Sequence, residues 1–280
     1  MIPAGTDRTS LVGVDSPSMH GLGAKDEGRE IDWGRTSGDY ARFRPGYPPS
    51  FFDRLAALGV GVSGQRILDL GTGTGVLARE FARRGSIVTG VDVSAEQVGA
   101  ARALAAHEGL DLRLLAAPAE ETGLPSASFD VLSASQCWLY FDRTRMIPEV
   151  RRLLAPGGVL VTCHLCWLPG VDAIAAASEA LVLRFNPAWS GAGYEGKIPP
   201  LPPWAEGAFD LSAMFWYDER LPFTPETWRG RFRACRGIGA ALAAAEVEAF
   251  DRAHAERLAG LVGGEFTILH RIDAHFLRPR

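Results

Sequence analysis

The chain has 280 residues, of which 47% are hydrophobic and 22% are charged, and its formal net charge is −4. These values are typical of a globular protein with one sizeable core. A negative net charge without a run of lysine or arginine excludes a general affinity for nucleic acid or anionic membranes. No apolar run is long enough to span a bilayer, and residues 1–13 lack a secretory pattern, so we expect a cytoplasmic protein.

The four cysteines favour packing over metal binding. Cys163 and Cys166 have the C-x-x-C spacing of a metal or redox pair, but the sequence has no second pair at zinc spacing. Cys163 also lies in an apolar run typical of a buried strand, where cysteine packs as a small hydrophobic residue. We therefore expect no bound metal.

Two segments of different composition precede the first predicted strand. Residues 1–30 are rich in glycine, serine, aspartate and threonine, which is typical of a flexible arm. Residues 31–49 alternate aromatic residues with arginines just before a predicted helix at Ser50–Leu58. Packing of these aromatic residues can attach the arm to the core.

A strand, a glycine turn and a helix are predicted next. Ile67–Leu70 is a short apolar run interrupted by one carboxylate, and Gly71, Gly73 and Gly75 follow it before an amphipathic stretch. This order is typical of a buried parallel strand that turns tightly into a helix. In such a turn the glycines let the backbone approach a ligand, and free N–H groups of the helix point at it.

The spacing of this turn distinguishes between two classes of adenosine ligand. The dinucleotide fingerprint needs its third glycine one residue later, where Val76 stands. Asp69 lies where a pyrophosphate would dock, and its carboxylate would repel phosphate but favour an ammonium group. Asp92, which ends the next apolar run, is placed to accept hydrogen bonds from ribose hydroxyls. A ribose and an ammonium group without phosphate indicate S-adenosylmethionine.

Helix and strand patterns continue to alternate along the chain. Further strands are predicted at Leu112–Ala116, Phe129–Ser135, Val159–His164, Phe215–Leu221 and Thr267–Leu277. Further helices are predicted at Ser94–His107, Thr144–Leu154, Ala173–Phe185, Pro225–Arg236 and Gly239–Leu261. We expect the last two strands to form an antiparallel edge.

Four motifs in this order resemble class I S-adenosylmethionine-dependent methyltransferases, in particular small-molecule enzymes of methyltransferase type 11. They are Asp69–Gly75, Val91–Ser94, Leu124–Asp130 and Arg152–Gly158. The resemblance implies an α/β fold with a Rossmann-like, seven-stranded, mostly parallel sheet, helices on both faces and a small helical and loop cover for the substrate. It also implies a methyltransferase that uses S-adenosyl-L-methionine.

The resemblance further implies a division of the chain. Residues 1–30 would be an arm, and residues 31–165 would form the cofactor-binding core with a lid at 31–49. Residues 166–280 would supply the substrate cover and the last strands and helices of the same domain.

By the same resemblance, the cofactor contacts lie at the lid and at the strand ends. The residues implied are Tyr40, Arg44, Asp69, Gly71, Thr72, Gly73, Asp92, Val93, Gln97, Ala119, Glu120, Ser135 and Gln136. Tyr40 and Arg44 would meet the methionine carboxylate, with Arg44 as the cationic partner. For Tyr47, a role in the lid and simple packing are equally compatible with the sequence.

Two departures from the family pattern concern the adenine. The family has a large side chain at the position of Gln97, which here either lies against the adenine or faces solvent. The family also has an Asp-Ala pair where Pro118 and Ala119 stand. Adenine recognition would then fall to the backbone of Ala119 or Glu120, or to the side chain of Glu120 or Glu121.

Methyl transfer from a sulfonium needs positioning and exclusion of water, and a base only where the acceptor carries its proton at neutral pH. We consider His164 first for that base and Tyr140 second, and the alternative for His164 is a structural histidine bonded to the backbone. Four aromatic residues are candidates for acceptor binding: Trp138, Trp167, Trp189 and Tyr194. For Trp138, packing in the wall is equally compatible with the sequence.

The resulting hypothesis is methyl transfer to an O or N atom of a small molecule in specialised metabolism, with a homodimer compatible with the aromatic density of the cover. A non-catalytic cofactor-binding or regulatory protein is the first alternative. An NAD(P)-dependent oxidoreductase is disfavoured by Asp69, by the glycine spacing and by the lack of a Ser…Tyr-x-x-x-Lys pattern.

Overall fold

The computed structural model describes Lys25–Asp26, Arg29–Glu30 and residues 36–280 of the chain. Most of the arm predicted at residues 1–30 and the first part of the lid predicted at 31–49 lie outside these described residues. The two short strands β1 (Lys25–Asp26) and β2 (Arg29–Glu30) pair in antiparallel orientation. No helix in the described part of the chain combines the length and the apolar character needed to cross a membrane.

Seven further strands form a single sheet. They are β3 (Arg66–Leu70), β4 (Ile87–Asp92), β5 (Arg113–Ala116), β6 (Phe129–Ser135), β7 (Leu154–Trp167), β8 (Phe209–Phe223) and β9 (Phe266–Pro279). Their order across the sheet is β5-β4-β3-β6-β7-β9-β8, and β9 runs antiparallel to both of its neighbours. The other pairs are parallel. The predicted mostly parallel sheet with an antiparallel edge is therefore confirmed.

Helices cover both faces of this sheet. Those in the described part of the chain are α1 (Ser37–Phe43), α2 (Pro49–Ala57), α3 (Val76–Arg83), α4 (Ala95–His107), α5 (Arg143–Leu153), α6 (Ala173–Phe185), α7 (Pro225–Arg233) and α8 (Ala244–Ala259). Ser94 caps α4 by accepting the Gln97 N–H at 3.2 Å. The helix predicted from Gly239 begins five residues later, because a Cβ on Gly239 would lie 1.8 Å from the Arg233 carbonyl oxygen and the chain turns tightly there.

The sheet separates two large hydrophobic cores, and side chains along a strand alternate between its two faces. One core includes Phe51 of α2 and Trp228 of α7, and the other includes Met146 of α5. On β7, Cys163 is buried in the first core, as its apolar surroundings predicted. The next residue, His164, therefore projects toward the opposite face of the sheet.

Helix α1, which belongs to the predicted lid, is docked on α7. The ring of Phe43 is buried over Gly230, and Asp39 Oδ2 accepts a hydrogen bond from Arg233 Nε at 3.0 Å. Because this ion pair is partly exposed, it stabilises the docking only weakly. The docking therefore depends mainly on the buried ring of Phe43. The docking places Arg44, directly after α1, near the carboxyl edge of the sheet.

A segment without α-helix or strand, residues 186–208, follows α6, and its later part covers the face of the sheet toward which His164 projects. The ring centroid of Trp204 in this cover lies 4.3 Å from that of Trp138. The carbonyl oxygen of Pro199 lies 2.8 Å from Nε2 of His275 on β9. The cover is thus attached both to the end of β6 and to β9.

Candidate functional site

Two close approaches of the backbone shape the glycine turn after β3. Gly71 has a φ of +61°, and a Cβ there would lie 2.9 Å from both Cβ and Sγ of Cys137. Glycine is therefore required, because a side chain would be strained and would collide. Gly73 donates its N–H to Asp92 Oδ2 at 2.8 Å, which joins the turn to the end of β4.

Asp69 is a buried carboxylate at the base of this turn. Its exposed fraction is 2%, and it accepts hydrogen bonds from Thr72 Oγ1 and Ser133 Oγ, each at 2.6 Å. Burial raises the pKa of Asp69 to about 6, although the two hydroxyl groups lower it. Asp69 forms no ion pair with any residue that the structure describes. A cationic ligand group would stabilise its charged form.

A narrow pocket opens beside Asp69. Its walls come from the lid, the glycine turn, β6 and β7 and include Arg44, Tyr47, Gly71, Ser135 and Leu165. The hydroxyl groups of Tyr47 and Ser135 lie 2.9 Å apart on the wall shared by the lid and β6. The pocket therefore presents a carboxylate and a guanidinium to the same ligand.

Gln136 connects the lid to the end of β7. Its Oε1 accepts a hydrogen bond from Arg44 Nη2, and its Nε2 donates to the carbonyl oxygen of Leu165. Its backbone φ is +55°, a left-handed conformation that is uncommon for a residue other than glycine. Such strained residues concentrate at functional sites, where the surrounding structure holds them.

Asp92 ends β4 on the other side of the turn. Its Oδ1 accepts the Ser94 N–H at 2.9 Å, and its Oδ2 accepts the Gly73 N–H at 2.8 Å. Burial raises the pKa of Asp92, whereas these two N–H groups lower it. Each carboxylate oxygen keeps a lone pair for a further donor, such as a ribose hydroxyl.

The fold and the central part of the chain are similar to known methyltransferases. Residues 68–162 match the family model described as a methyltransferase domain. A structure from Anaeromyxobacter dehalogenans, solved for a candidate type II methyltransferase, superposes with a TM-score of 0.57 and 25% sequence identity. That superposition covers 85% of this chain and 98% of the other.

Relatives of similar sequence are methyltransferases as well. Uncharacterized methyltransferases from Mycobacterium bovis and Mycobacterium tuberculosis are 38% identical over 130 residues, which cover 46% of this chain and 50% of theirs. The chain thus spans about half the length of these relatives. A ubiquinone biosynthesis O-methyltransferase from Xanthomonas oryzae is 32% identical over 184 residues, which cover 61% of this chain and 71% of that protein. The chain belongs to the class I S-adenosylmethionine-dependent methyltransferases.

The cofactor of this methyltransferase family is S-adenosylmethionine, and the residues at the turn fit it. Its methionine end carries an ammonium group and a carboxylate, which match the guanidinium of Arg44 and the buried Asp69, a carboxylate without an ion pair among the described residues. Its ribose has two hydroxyl groups, which match the remaining acceptor capacity of Asp92.

The methyltransferase residues predicted near the adenine occupy different environments. Gln97 is buried, with an exposed fraction of 3%, so the alternative that it faces solvent is wrong. It lies in the first turn of α4 and is one of the buried residues of that helix. Val93 is exposed, and Ala119 is buried in a short 3-10 turn. Glu120 Oε1 accepts the Asp142 N–H at 2.9 Å, which holds this carboxylate at the start of α5.

The three tryptophans predicted to contact the acceptor are buried in the methyltransferase core. Trp138, Trp167 and Trp189 have exposed fractions of 3%, 8% and 7%. Trp167 Nε1 donates to Glu179 Oε1 at 2.6 Å, and Trp138 packs against the cover. Their rings are already covered by protein, so the expectation that they stack on an acceptor is corrected to wall packing. Tyr194 is partly exposed in the cover and remains a candidate for acceptor binding.

The two candidates for a base lie in different surroundings. His164 Nδ1 lies 3.0 Å from Asp273 Oδ2 on the neighbouring strand. Tyr140 follows β6, and its hydroxyl lies 3.4 Å from Arg236 Nη1. The side chain of Tyr40 lies outside the described part of the chain, so its predicted contact stays a prediction.

Three residues of the site escaped prediction from the sequence. Tyr47 remained undecided between packing and a lid role, and it lines the pocket opposite Ser135. Ser133 and Asp273 were not singled out at all. The signal for Asp273 was available, because a carboxylate in the middle of an apolar strand needs a partner.

Proposed function

We propose that this chain transfers the methyl group of S-adenosylmethionine to an O or N atom of a small molecule. The observation that carries the proposal is the pocket beside the glycine turn, which contains a guanidinium and a buried carboxylate that pairs with no cation in the described part of the chain. The opposite charges of Asp69 and Arg44, near the acid Asp92 that we propose for the ribose, suit a zwitterionic, unphosphorylated adenosine ligand.

Each end of the cofactor has a proposed partner. Asp69 would pair with the ammonium group, Arg44 would bind the methionine carboxylate, and Asp92 would accept from the ribose hydroxyls. The glycine turn, with Gly71, Thr72 and Gly73, would lie along the cofactor. Val93, Gln97, Ala119 and Glu120 would surround the adenine, and Ser135 with Gln136 would face the sulfur end.

When bound, the cofactor supplies an activated methyl group and a neutral leaving group. The protein then has to hold the acceptor in line and exclude water, and positioning of this kind can supply roughly 7–11 kcal/mol. The lid and the cover are the elements suited to this task, because they lie over the carboxyl ends of β6 and β7. We propose residues 31–49 as the lid and residues 166–280 as the part of the same domain that covers the acceptor.

The acceptor class rests on two supports. The chain has no basic surface run for nucleic acid, and the relative from Xanthomonas oryzae is named for methylation of an oxygen atom in ubiquinone biosynthesis. A small molecule of specialised metabolism is our proposal for this chain.

Calorimetry on the purified chain tests the cofactor assignment. We expect S-adenosylhomocysteine to bind and NAD to give no heat. Asp69→Asn should weaken S-adenosylhomocysteine, whereas Asp130→Asn, a partly exposed carboxylate paired with Arg66 at the opposite end of β6, should leave it unchanged. Binding of NAD without S-adenosylhomocysteine would overturn the proposal, and tight binding without transfer to any acceptor would favour a regulatory protein.

A further inference from the structure

His164 and Asp273 form a polarised pair beneath the cover. The two residues stand opposite each other in the register of β7 and β9, and Nδ1 lies 3.0 Å from Oδ2. Asp273 has an exposed fraction of 2%, whereas the side chain of His164 is 38% exposed. The carboxylate therefore holds the proton on Nδ1, which leaves Nε2 as the nitrogen with a lone pair. Nε2 forms no hydrogen bond to any residue that the structure describes.

The pair lies on the two strands next to the pocket, and its side chains project to the opposite face of the sheet, beneath the cover. Cys163, the preceding residue, is in register with Ser135, and Leu165, the following residue, lines the pocket wall. The Gln136 N–H donates to the Cys163 carbonyl oxygen at 3.0 Å, so the backbone on both sides of His164 is fixed to the end of β6. In open α/β sheets, reacting groups gather at these carboxyl ends.

Other ionisable groups around the pair are poor bases. Burial, followed by the charge of Asp273, raises the pKa of the Cys166 thiol to about 12, so it stays protonated at neutral pH. Burial also raises the pKa of Tyr194. His275 is 2% exposed, and its Nε2 lies 2.8 Å from the Pro199 carbonyl oxygen while its Nδ1 lies 3.6 Å from Asp273 Oδ2. Arg271 pairs with Asp218 and is always charged.

We propose that His164 is the general base of this site, that Asp273 is its positioning residue, and that the acceptor atom is a hydroxyl oxygen. The inference rests on the proposed function. The acceptor O–H bond breaks as its proton passes to His164 Nε2, and the oxygen forms a bond to the methyl carbon. The carbon–sulfur bond breaks with its electron pair on sulfur, and the imidazolium later releases its proton to water. An amine that is unprotonated at the working pH would not need this pair, because its nitrogen already carries a lone pair.

The charge of Asp273 changes the pKa of His164 in a direction that can be measured. Burial lowers the pKa of His164, but the charge and the hydrogen bond of Asp273 outweigh it and leave the pKa raised. The His164 imidazolium correspondingly lowers the pKa of Asp273 against the effect of burial. Replacing the carboxylate with an amide removes only the raising contributions, so the pKa of His164 should fall.

Nuclear magnetic resonance titration tests this without any turnover. The imidazole C–H signals of the full chain, assigned with His164→Gln, are followed against pH in the wild type and in Asp273→Asn. We expect the pKa of His164 to be lower by about one unit or more in the variant. Identical titration in both proteins would overturn the role of Asp273, and a matching thermal melt confirms that the variant is folded.

Turnover of two phenols then tests the base. Phenol keeps its proton at a slightly alkaline pH, whereas the more acidic 4-nitrophenol is largely ionised there. His164→Gln should lower kcat with phenol by ~10²–10⁴-fold and leave 4-nitrophenol much less affected. His107→Gln, an exposed histidine at the end of α4, is the matched control and should change neither rate.

The outcomes separate this inference from the proposed function. Unchanged rates with both phenols in His164→Gln would overturn the base, as would equal losses with both. Transfer to an amine but to neither phenol, in a chain that binds S-adenosylhomocysteine, would overturn the hydroxyl class. His164→Gln should bind S-adenosylhomocysteine like the wild type. A wild-type chain that does not bind S-adenosylhomocysteine would contradict the proposed function itself.

Discussion

The ring of Phe43 occupies the space that a side chain at Gly230 would need. A Cβ on Gly230 would lie 2.2 Å from the nearest atom of that ring. Gly230 lies inside α7, where alanine would otherwise be favoured by about 1 kcal/mol. The docking of α1 on α7 therefore depends on the absence of a side chain at this position.

Gly230→Ala should undock the lid. Overpacking typically costs 1–3 kcal/mol, which exceeds the gain in helix propensity. Because Arg44 directly follows the displaced α1, we expect the Kd of S-adenosylhomocysteine, measured by calorimetry, to rise by roughly tenfold. Gly99→Ala, at an exposed position of α4 with nothing within 4 Å of the new Cβ, is the matched control. It should leave the Kd unchanged, and equal effects of both substitutions would contradict the prediction.

Cofactor affinity should fall on acidification because Asp69 must be ionised to pair with an ammonium group. Burial raises the pKa of Asp69 to about 6 in the ligand-free chain. Below that pH, binding has to displace a proton, so the Kd of S-adenosylhomocysteine should rise about tenfold per pH unit. Calorimetry across the acidic range measures this slope. Asp69→Asn should bind more weakly and lose the slope, and a variant that kept it would assign the proton to another group.

The same carboxylate should destabilise the ligand-free fold. The pKa of Asp69 is about 6 in the folded chain and about 3.9 in an unfolded one, so its ionisation opposes folding as the pH rises through this window. The penalty at neutral pH is on the order of 3 kcal/mol. We expect Asp69→Asn to raise the free energy of unfolding in urea at neutral pH, although it weakens cofactor binding. Equal stability of both proteins would show that the buried charge is compensated.

Two buried histidines should make the fold sensitive to acid. Burial lowers the pKa of His254 and of His270 to about 4. These pKa values lie below that of a histidine in an unfolded chain, near 6.5. The contribution of the two histidines to the free energy of unfolding is therefore fully present above pH 6.5 and is lost as the pH falls toward 4. Each histidine should contribute on the order of 3 kcal/mol to this loss. Urea unfolding at several pH values measures it.

A variant separates these histidines from the exposed ones. His254→Asn should be less stable at neutral pH, because the ring fills a core site and Nε2 lies 3.0 Å from Ser178 Oγ. Its free energy of unfolding should nevertheless depend less steeply on pH than that of the wild type. His107→Gln should retain the full slope. An unchanged slope in His254→Asn would contradict the assignment.

The parts of the site that lie close in sequence could be predicted, because local geometry determines them. Asp69 and Gly71 belong to one turn, and Asp92 ends the strand that follows the next helix, so strand periodicity and glycine spacing suffice. The seven-stranded, mostly parallel sheet also followed from the resemblance, and the antiparallel edge followed from the strand-like runs at Phe215–Leu221 and Thr267–Leu277.

The contacts between distant residues could not be predicted in the same way. His164 and Asp273 are 109 positions apart, and only the pairing of β7 with β9 brings them together. The tryptophans show the opposite problem. A large aromatic ring suits a ligand pocket and a core equally, and the choice for Trp167 and Trp189 depends on which elements pack over them.

The hydrogen bond between Gln136 and Arg44 has a thermodynamic consequence for cofactor binding. The amide oxygen of Gln136 holds the guanidinium of Arg44 in the ligand-free protein, in the place of the carboxylate that we propose as the eventual partner. Binding of that carboxylate would then replace the Gln136 amide oxygen as the acceptor for Arg44, and a mobile arginine side chain would not have to be ordered. Much of the conformational entropy of this long side chain is lost during folding, so less remains to be lost on association.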